Sequence, residues 1–190
     1  MLNDQTTPLS LLETRRSGRP RDLIEPGPSP VELQRILTIA ARTPDHGKLA
    51  PWRFVHVPRD RREAFSDLLF AAYRAETGEP TEATAEAITR LAFQAPELVV
   101  ALYSPKESAK IPEWEQQLSC GAAVMNLEHG AHALGYAAGW ITGWAAYSPT
   151  VLAAFGAAPE RIAGLIYLGT PGMALEERAR PDLEAVTSRW

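Results

Sequence analysis

The sequence predicts a single α+β domain, because segments with the apolar spacing of helices occur together with short apolar runs typical of strands. Leu98–Tyr103 is a continuous apolar run and is predicted to be a central strand. Trp52–Val57 alternates like a strand and stops at Pro58. A length of 190 residues fits one domain with a full core. We therefore expect residues 1–190 to form one domain, with 170–190 as a C-terminal arm.

Four helices are predicted in the first half of the chain. The clearest begins after Ser29, because Ser29-Pro-Val-Glu32 has the pattern of a capping box with proline at the first helical position. Leu33, Ile36 and Leu37 then follow at helical spacing. The other three helices are predicted over Pro8–Arg16, Arg59–Thr77 and Thr81–Phe93.

The longest predicted helix, Pro112–Leu134, is apolar on two faces. Cys120 and Val124 belong to one stripe, and Trp114 and Leu118 belong to the other. Because a helix of this kind is normally buried on both faces, we expect it to pack on the sheet and on a second subunit. The remaining predicted elements are a strand over Tyr136–Thr142, a short helix over Ser148–Gly156 and a strand over Ile162–Leu168.

Composition and charge narrow the class of protein. A net charge of −4 argues against non-specific nucleic-acid binding. The single cysteine and four histidines show no spacing typical of metal ligands, so no metal site is expected. No apolar run reaches the length of a membrane span, and the N-terminus lacks the pattern of a secretory signal. We expect a cytoplasmic protein that does not bind membranes.

The connection over Thr43–Phe54 contains more polar chemistry than a turn requires. It holds two prolines, a glycine, the pair Asp45 and His46, and Lys48. Turns use Gly, Pro, Asn or Asp without needing His and Lys. The segment is therefore either a rigid loop that covers the core or part of a binding site.

This loop resembles that of the FMN-dependent nitroreductase family, in its short-chain bacterial branch. The shared feature is a small residue, a proline and a polar stretch, followed by Pro-Trp-Arg-Phe at residues 51–54. Similar motifs follow one another in the same order over nearly the whole chain, and it is their order and spacing that make the resemblance specific. They are Arg15–Ser17, Pro112–Gln116, Gly135-Tyr136, Trp140–Gly143 and Tyr167–Pro171.

The resemblance implies a mainly antiparallel sheet flanked by helices, in an intertwined homodimer with FMN at the subunit interface. It implies an FMN-dependent oxidoreductase in which NADH or NADPH delivers hydride to the flavin. A small-molecule acceptor, such as a nitroaromatic or a quinone, then takes the electrons in a ping-pong cycle. No catalytic side chain is expected, because the cofactor carries the chemistry. The alternatives are another flavin reaction on this fold, such as dehalogenation or dehydrogenation of a specific metabolite, and a flavin-binding or storage module with little turnover.

The resemblance also assigns residues to the cofactor. It places Arg15, Arg16 and Ser17 on the FMN phosphate, and Arg42 and His46 on the flavin of the neighbouring subunit. It places Trp140, Ile141 and Thr142 against the flavin ring, where the turn offers backbone N–H groups. The segment assigned to the nicotinamide cofactor consists of Gly130, Ala131, His132, Ala133, Leu134 and Gly135.

From the residues alone, each assignment has a structural alternative. The Arg15–Ser17 triplet also fits a solvated basic end of a helix. His46 fits a loop histidine bonded to backbone, His132 fits a histidine on a helix surface, and Trp140 fits core packing. Arg178 and Arg180 in the arm could reach the phosphate, but they fit solvated charge better.

Overall fold

The computed structural model describes all 190 residues and contains five strands and eight α-helices. The strands are β1 (Leu23–Ile24), β2 (Trp52–Val57), β3 (Glu97–Tyr103), β4 (Ala137–Ile141) and β5 (Arg161–Pro171). The helices are α1 (Pro8–Thr14), α2 (Pro30–Ala41), α3 (Arg62–Glu76), α4 (Glu82–Phe93), α5 (Glu113–Ala133), α6 (Trp144–Tyr147), α7 (Pro149–Phe155) and α8 (Leu183–Val186).

All strand pairs in the sheet are antiparallel, which confirms the predicted α+β class. The central strand β5 pairs with β3 on one side, and β2 follows β3 at the edge. The other side of β5 pairs with β4 along Leu165–Gly169 and with β1 at Thr170 and Pro171. β5 is therefore longer than predicted, and the C-terminal arm begins after Pro171.

Two apolar cores lie on the two faces of this sheet. Leu98, Val100 and Leu102 point into the core formed with α3, α4, α6 and α7. Val99 and Ala101 point the opposite way, into the core formed with α2 and α5. Burial on both faces explains why β3 is a continuous apolar run.

The helix ends show which sequence signals are local. The Ser29–Glu32 capping box is present, and Gly135 follows α5 with a φ of +93°. The expected end of α1 at Arg16 is wrong. The helix ends at Thr14, and Arg15 has extended dihedrals (φ −55°, ψ 127°). Residues 15–18 instead run beside β4, where the Gly18 N–H donates to the carbonyl of Ala138 at 2.9 Å.

Helix α5 buries only one of its two apolar stripes within the subunit. Cys120, Val124 and Leu127 are buried against the sheet, as predicted. Trp114 is 66% exposed and Leu118 is 54% exposed, so this outer face has no partner within the subunit. Its contact with a second subunit stays a prediction. None of the eight helices combines the length and hydrophobicity that a membrane span requires.

Candidate functional site

Arg15 and Arg16 point to opposite sides of the segment that follows α1, because side chains alternate along extended backbone. Arg15 Nη1 donates to Ser17 Oγ at 3.3 Å and lies 3.5 Å from Glu128 Oε2 on α5. Ser17 Oγ also donates to Glu128 Oε2, at 3.4 Å. Arg16 faces the C-terminal arm, where its Nε donates to the carbonyl of Glu176 at 2.7 Å. The two predicted phosphate-binding arginines therefore have different surroundings.

Glu128 contacts the predicted phosphate-binding residues Arg15 and Ser17 and was not predicted from the sequence. Its side chain is 4% exposed, and its Oε1 atom has no hydrogen-bond partner. Burial raises the pKa of Glu128, whereas Arg15, Ser17 and the backbone amide of Trp140 favour the ionised form. The sequence signal that could have indicated Glu128 is the position of a charged residue next to Leu127 in the apolar stripe of the longest helix.

The arm brings further arginines to the Arg16 side of this segment. Arg180 Nη2 lies 3.4 Å from the carbonyl of Arg15, and Arg19 pairs with Glu176. The pKa of Arg16 is lowered, first by partial burial and then by the charges of Arg178 and Arg180. The arm arginines are exposed, as expected for solvated charge, but they lie close enough to Arg16 to lower its pKa. We call these five residues the arginine cluster: Arg15, Arg16, Arg19, Arg178 and Arg180.

The end of β4 borders this cluster. A Cβ at Gly139 would lie 2.6 Å from the Gly18 carbonyl, so only glycine permits this close approach of the two segments. Trp140 is 38% exposed and donates from Nε1 to the carbonyl of Ala163 at 3.0 Å. Ile141 pairs with Leu165 at the last position of the strand, and Thr142 is exposed just beyond it. The structure thus places the predicted phosphate and ring segments side by side.

The loop that carries Arg42 and His46 is anchored on α5. Asn126 Nδ2 donates to Thr43 Oγ1 at 2.8 Å, and Thr43 in turn donates to the carbonyl of Ala40 at 2.9 Å. His46 Nδ1 lies 2.7 Å from Glu115 Oε2. No hydrogen bond or ion pair joins Arg42 or His46 to Arg15–Ser17 within the subunit. Their assignment to the flavin of a neighbouring subunit stays a prediction.

The segment predicted to bind the nicotinamide cofactor lies at the C-terminal end of α5. Gly130, Ala131 and His132 are buried by the chain itself, whereas Ala133 and Gly135 are exposed. Only the second part of the segment therefore offers surface to a ligand, and its role stays a prediction.

His132 is not on the helix surface, and that expectation is wrong. The end of α5 packs beneath β4, so the side chain is fully buried, and its Nε2 accepts from the Ala138 N–H at 3.3 Å. Its Nδ1 has no partner. Burial, with the nearby charge of Arg15, lowers the pKa of His132 to about 3, so the ring is neutral at physiological pH.

Comparisons with known proteins found matches in both sequence and fold. The protein-family model described as "Nitroreductase family" matches residues 12–170. The chain is 38% identical over 164 residues to "Putative NAD(P)H nitroreductase YdjA" of Escherichia coli (strain K12), covering 86% of this chain and 87% of that protein. A nitroreductase-like family protein from Bacillus cereus has a TM-score of 0.81 at 19% identity, with 97% and 96% of the two chains covered. A nitroreductase with bound FMN from Bacteroides fragilis has a TM-score of 0.69 at 21% identity, with 97% and 100% covered.

Proposed function

This chain belongs to the nitroreductase family, and from that premise we propose that it is an FMN-dependent NAD(P)H oxidoreductase that reduces nitroaromatic or quinone-type acceptors. The observation that most supports this proposal is the position of the arginine cluster beside the end of β4. The name of the Escherichia coli relative supports a nicotinamide donor, and the FMN in the Bacteroides fragilis structure supports the cofactor.

The residues present fit FMN at both of its ends. Guanidinium groups bind phosphate through charge-assisted hydrogen bonds, and Arg15 with Ser17 already presents such donors to an anion, the Glu128 carboxylate. The arm adds Arg178 and Arg180 on the Arg16 side of the same segment. Trp140, Ile141 and Thr142 would face the ring, with backbone donors beyond the last strand pair.

The proposed site is completed by a second subunit. Arg42 and His46 lie on a loop tied to α5 through Thr43 and Glu115, apart from the arginine cluster of their own subunit. The outer face of α5, with Trp114 and Leu118, is the exposed apolar surface that a homodimer would bury. We therefore propose a homodimer in which this loop contributes to the FMN site of its partner.

When bound, FMN would supply the redox chemistry, taking hydride from NADH or NADPH and passing electrons to the acceptor. The residues of this chain would bind the cofactor and orient it. Arg15 and Ser17 hold the phosphate, and the other arginines of the cluster add positive charge nearby. Cationic and N–H groups near the ring favour negative charge there. His132 is neutral, buried and outside this role, and no side-chain acid or base is assigned.

The test begins with the purified protein. We expect it to be yellow and to release FMN, not FAD, on heat denaturation. Stopped-flow mixing with NADH or NADPH should bleach the flavin, and nitroaromatics or quinones should restore its colour.

A protein that neither contains nor binds FMN would refute the proposal. A bound flavin that neither nucleotide reduces would indicate a storage module. Rapid reoxidation only by a halogenated or otherwise specific substrate would indicate a different flavin reaction.

A further inference from the structure

Glu128 uses the same hydrogen-bond donors that the proposed function assigns to the cofactor phosphate. Its Oε2 atom accepts from Ser17 Oγ at 3.4 Å and lies 3.5 Å from Arg15 Nη1. A serine hydroxyl has one proton and can donate to one acceptor at a time. A phosphate that takes the Ser17 hydroxyl must therefore take it from Glu128.

The surroundings of Glu128 provide little other compensation for its charge. From the N-terminal segment it faces Arg15, Ser17 and, farther off, Arg16, and from β4 it faces the backbone amide of Trp140. His129 and His132 lie on its own helix, and burial lowers the pKa of both rings, which favours their neutral forms. Arg15 is the only cation within 4.0 Å of the carboxylate. An ionised Glu128 next to a bound phosphate would thus place two anions in a poorly solvated corner, where both would contact Arg15.

We propose that Glu128 competes with the cofactor phosphate for Arg15 and Ser17, and that binding of the phosphate requires the carboxylate to give up these contacts by taking a proton from solvent. This inference rests on the proposed FMN function. Protonation converts the carboxylate into a carboxylic acid, which removes one of the two negative charges and makes the group a donor. Glu128 is then a residue that sets how strongly the site selects for a phosphorylated flavin.

Burial of the carboxylate decides the direction of the effect. At a short distance in a partly buried site, repulsion between two anions exceeds the contribution of one long hydrogen bond to the orientation of Arg15. Removing the charge should therefore tighten phosphate binding. The opposite result is expected if Glu128 mainly holds Arg15 in place.

The experiment compares wild type with Glu128→Gln and Glu128→Met, which keep the length of the side chain. Binding of FMN, riboflavin and inorganic phosphate to flavin-free protein is measured by fluorescence quenching or calorimetry at pH 6, 7 and 8. We expect both variants to bind FMN at least about tenfold more tightly at pH 8, equivalent to about 1.4 kcal/mol, with riboflavin affinity nearly unchanged. The ratio of wild-type to variant Kd for FMN should rise with pH, and this ratio cancels the ionisation of the phosphate itself.

Glu86→Gln is the matched control, because it removes the same charge from an exposed position on α4. It should leave the affinities for both flavins unchanged. The inference is overturned if Glu128→Gln and Glu128→Met bind FMN no more tightly than wild type, or if the Kd ratio does not change with pH. A wild-type protein that fails to prefer FMN to riboflavin would instead refute the phosphate site of the proposed function. The thermal midpoints of the variants show whether each is folded.

Discussion

Arg53 on β2 and Glu160, the residue before β5, form a bidentate ion pair. Arg53 Nε donates to Oε1 at 3.1 Å, and its Nη2 donates to Oε2 at 2.9 Å. The same Nη2 also donates to the carbonyl of Phe155 at 2.5 Å. A Cβ at Gly156 would lie 2.2 Å from Glu160 Oε2, so a larger residue there would displace the carboxylate from the pair. Arg53 belongs to the Pro-Trp-Arg-Phe motif, and its contacts show that it ties edge strand β2 to the chain entering β5.

We expect Glu160→Gln to lower stability in a pH-dependent way. The hydrogen bond from Arg53, together with its charge, lowers the pKa of Glu160 to about 2. A carboxyl whose pKa is lower in the folded state stabilises the fold above its ordinary pKa of 4.5, and this contribution is lost as pH falls toward about 2. Because Arg53 is partly exposed, we expect a loss of about 1 kcal/mol at pH 7.

Urea unfolding of both proteins at pH 7, 5 and 3 measures this difference. The gap between wild type and Glu160→Gln should shrink between pH 5 and pH 3. Glu79→Gln is the comparison, since Glu79 pairs with Arg74 at an exposed site and should have almost no effect. A gap that is the same at all three pH values would show that Glu160 acts through packing alone.

Arg62 at the start of α3 is a buried cation with no carboxylate partner, and its replacement should be costly. It donates from Nε, Nη1 and Nη2 to the carbonyls of Val57, Ala92 and Pro96 at 3.0, 2.8 and 3.2 Å. Burial lowers its pKa. Arg62→Met leaves three buried carbonyls without these donors, so we expect a loss of roughly 3 kcal/mol or more.

Arg61→Met serves as the control for this prediction, because Arg61 is the adjacent residue and is exposed. Its free energy of unfolding should change by less than about 0.5 kcal/mol. If the two variants have the same stability, water replaces the Arg62 guanidinium at little cost. The interpretation that its three hydrogen bonds stabilise the fold is then wrong.

The sequence predicted the elements whose signals are local. The capping box at Ser29 needs only four residues, and β3 is visible because both of its faces are buried. β1 escaped prediction because it has two residues and exists only where β5 extends to Pro171. α6, with four residues after Gly143, is too short to show a period.

The candidate site was predictable only in part, because its contacts join distant parts of the chain. Arg15 and Glu128 are 113 positions apart, and Arg15 and Arg180 are 165 apart. No spacing rule links residues at such distances, so the role of Glu128 and the contact between Arg180 and the segment after α1 appeared only in the structure. His132 was misplaced for the same reason, since its burial depends on β4 crossing over the end of α5.

The outer face of α5 gives a test of the proposed homodimer. Leu118 is exposed at its centre, close to Trp114 one turn earlier. If a second subunit covers this face, Leu118→Glu places a charge in an apolar interface and should yield a monomer with weakened FMN binding. Light scattering at micromolar concentration and a flavin titration measure the two effects.

Val31→Glu controls for the added charge, because Val31 is an exposed apolar residue in the first turn of α2. That variant should keep the molar mass that wild type has in light scattering, and it should keep the wild-type flavin affinity. A wild-type protein that is monomeric with full flavin occupancy would rule out the interfacial site.

The last prediction separates the two arginines of the Arg15–Ser17 segment. Arg15 contacts Ser17 and Glu128 in a partly buried corner, whereas Arg16 faces the arm through the Glu176 carbonyl. Arg15→Ala should weaken FMN about 10- to 150-fold, since a hydrogen bond to a charged group contributes about 1.5–3 kcal/mol. Riboflavin, which has no phosphate, should bind almost as before.

Arg16→Ala should cost less FMN affinity, because the other arginines of the cluster remain and the change mainly removes the hydrogen bond that holds the arm at the Glu176 carbonyl. Limited proteolysis reports that release as faster cleavage between 172 and 190, and Arg15→Ala should leave this cleavage rate closer to wild type. A selective loss of FMN in Arg16→Ala alone would move the phosphate to the arm side of the segment. Equal losses of FMN and riboflavin in both variants would mean that the segment is structural. If Glu128 competes with the phosphate for Arg15, Arg15→Ala should lower FMN affinity more in the Glu128→Gln background than in wild type. A smaller loss in that background would count against the competition.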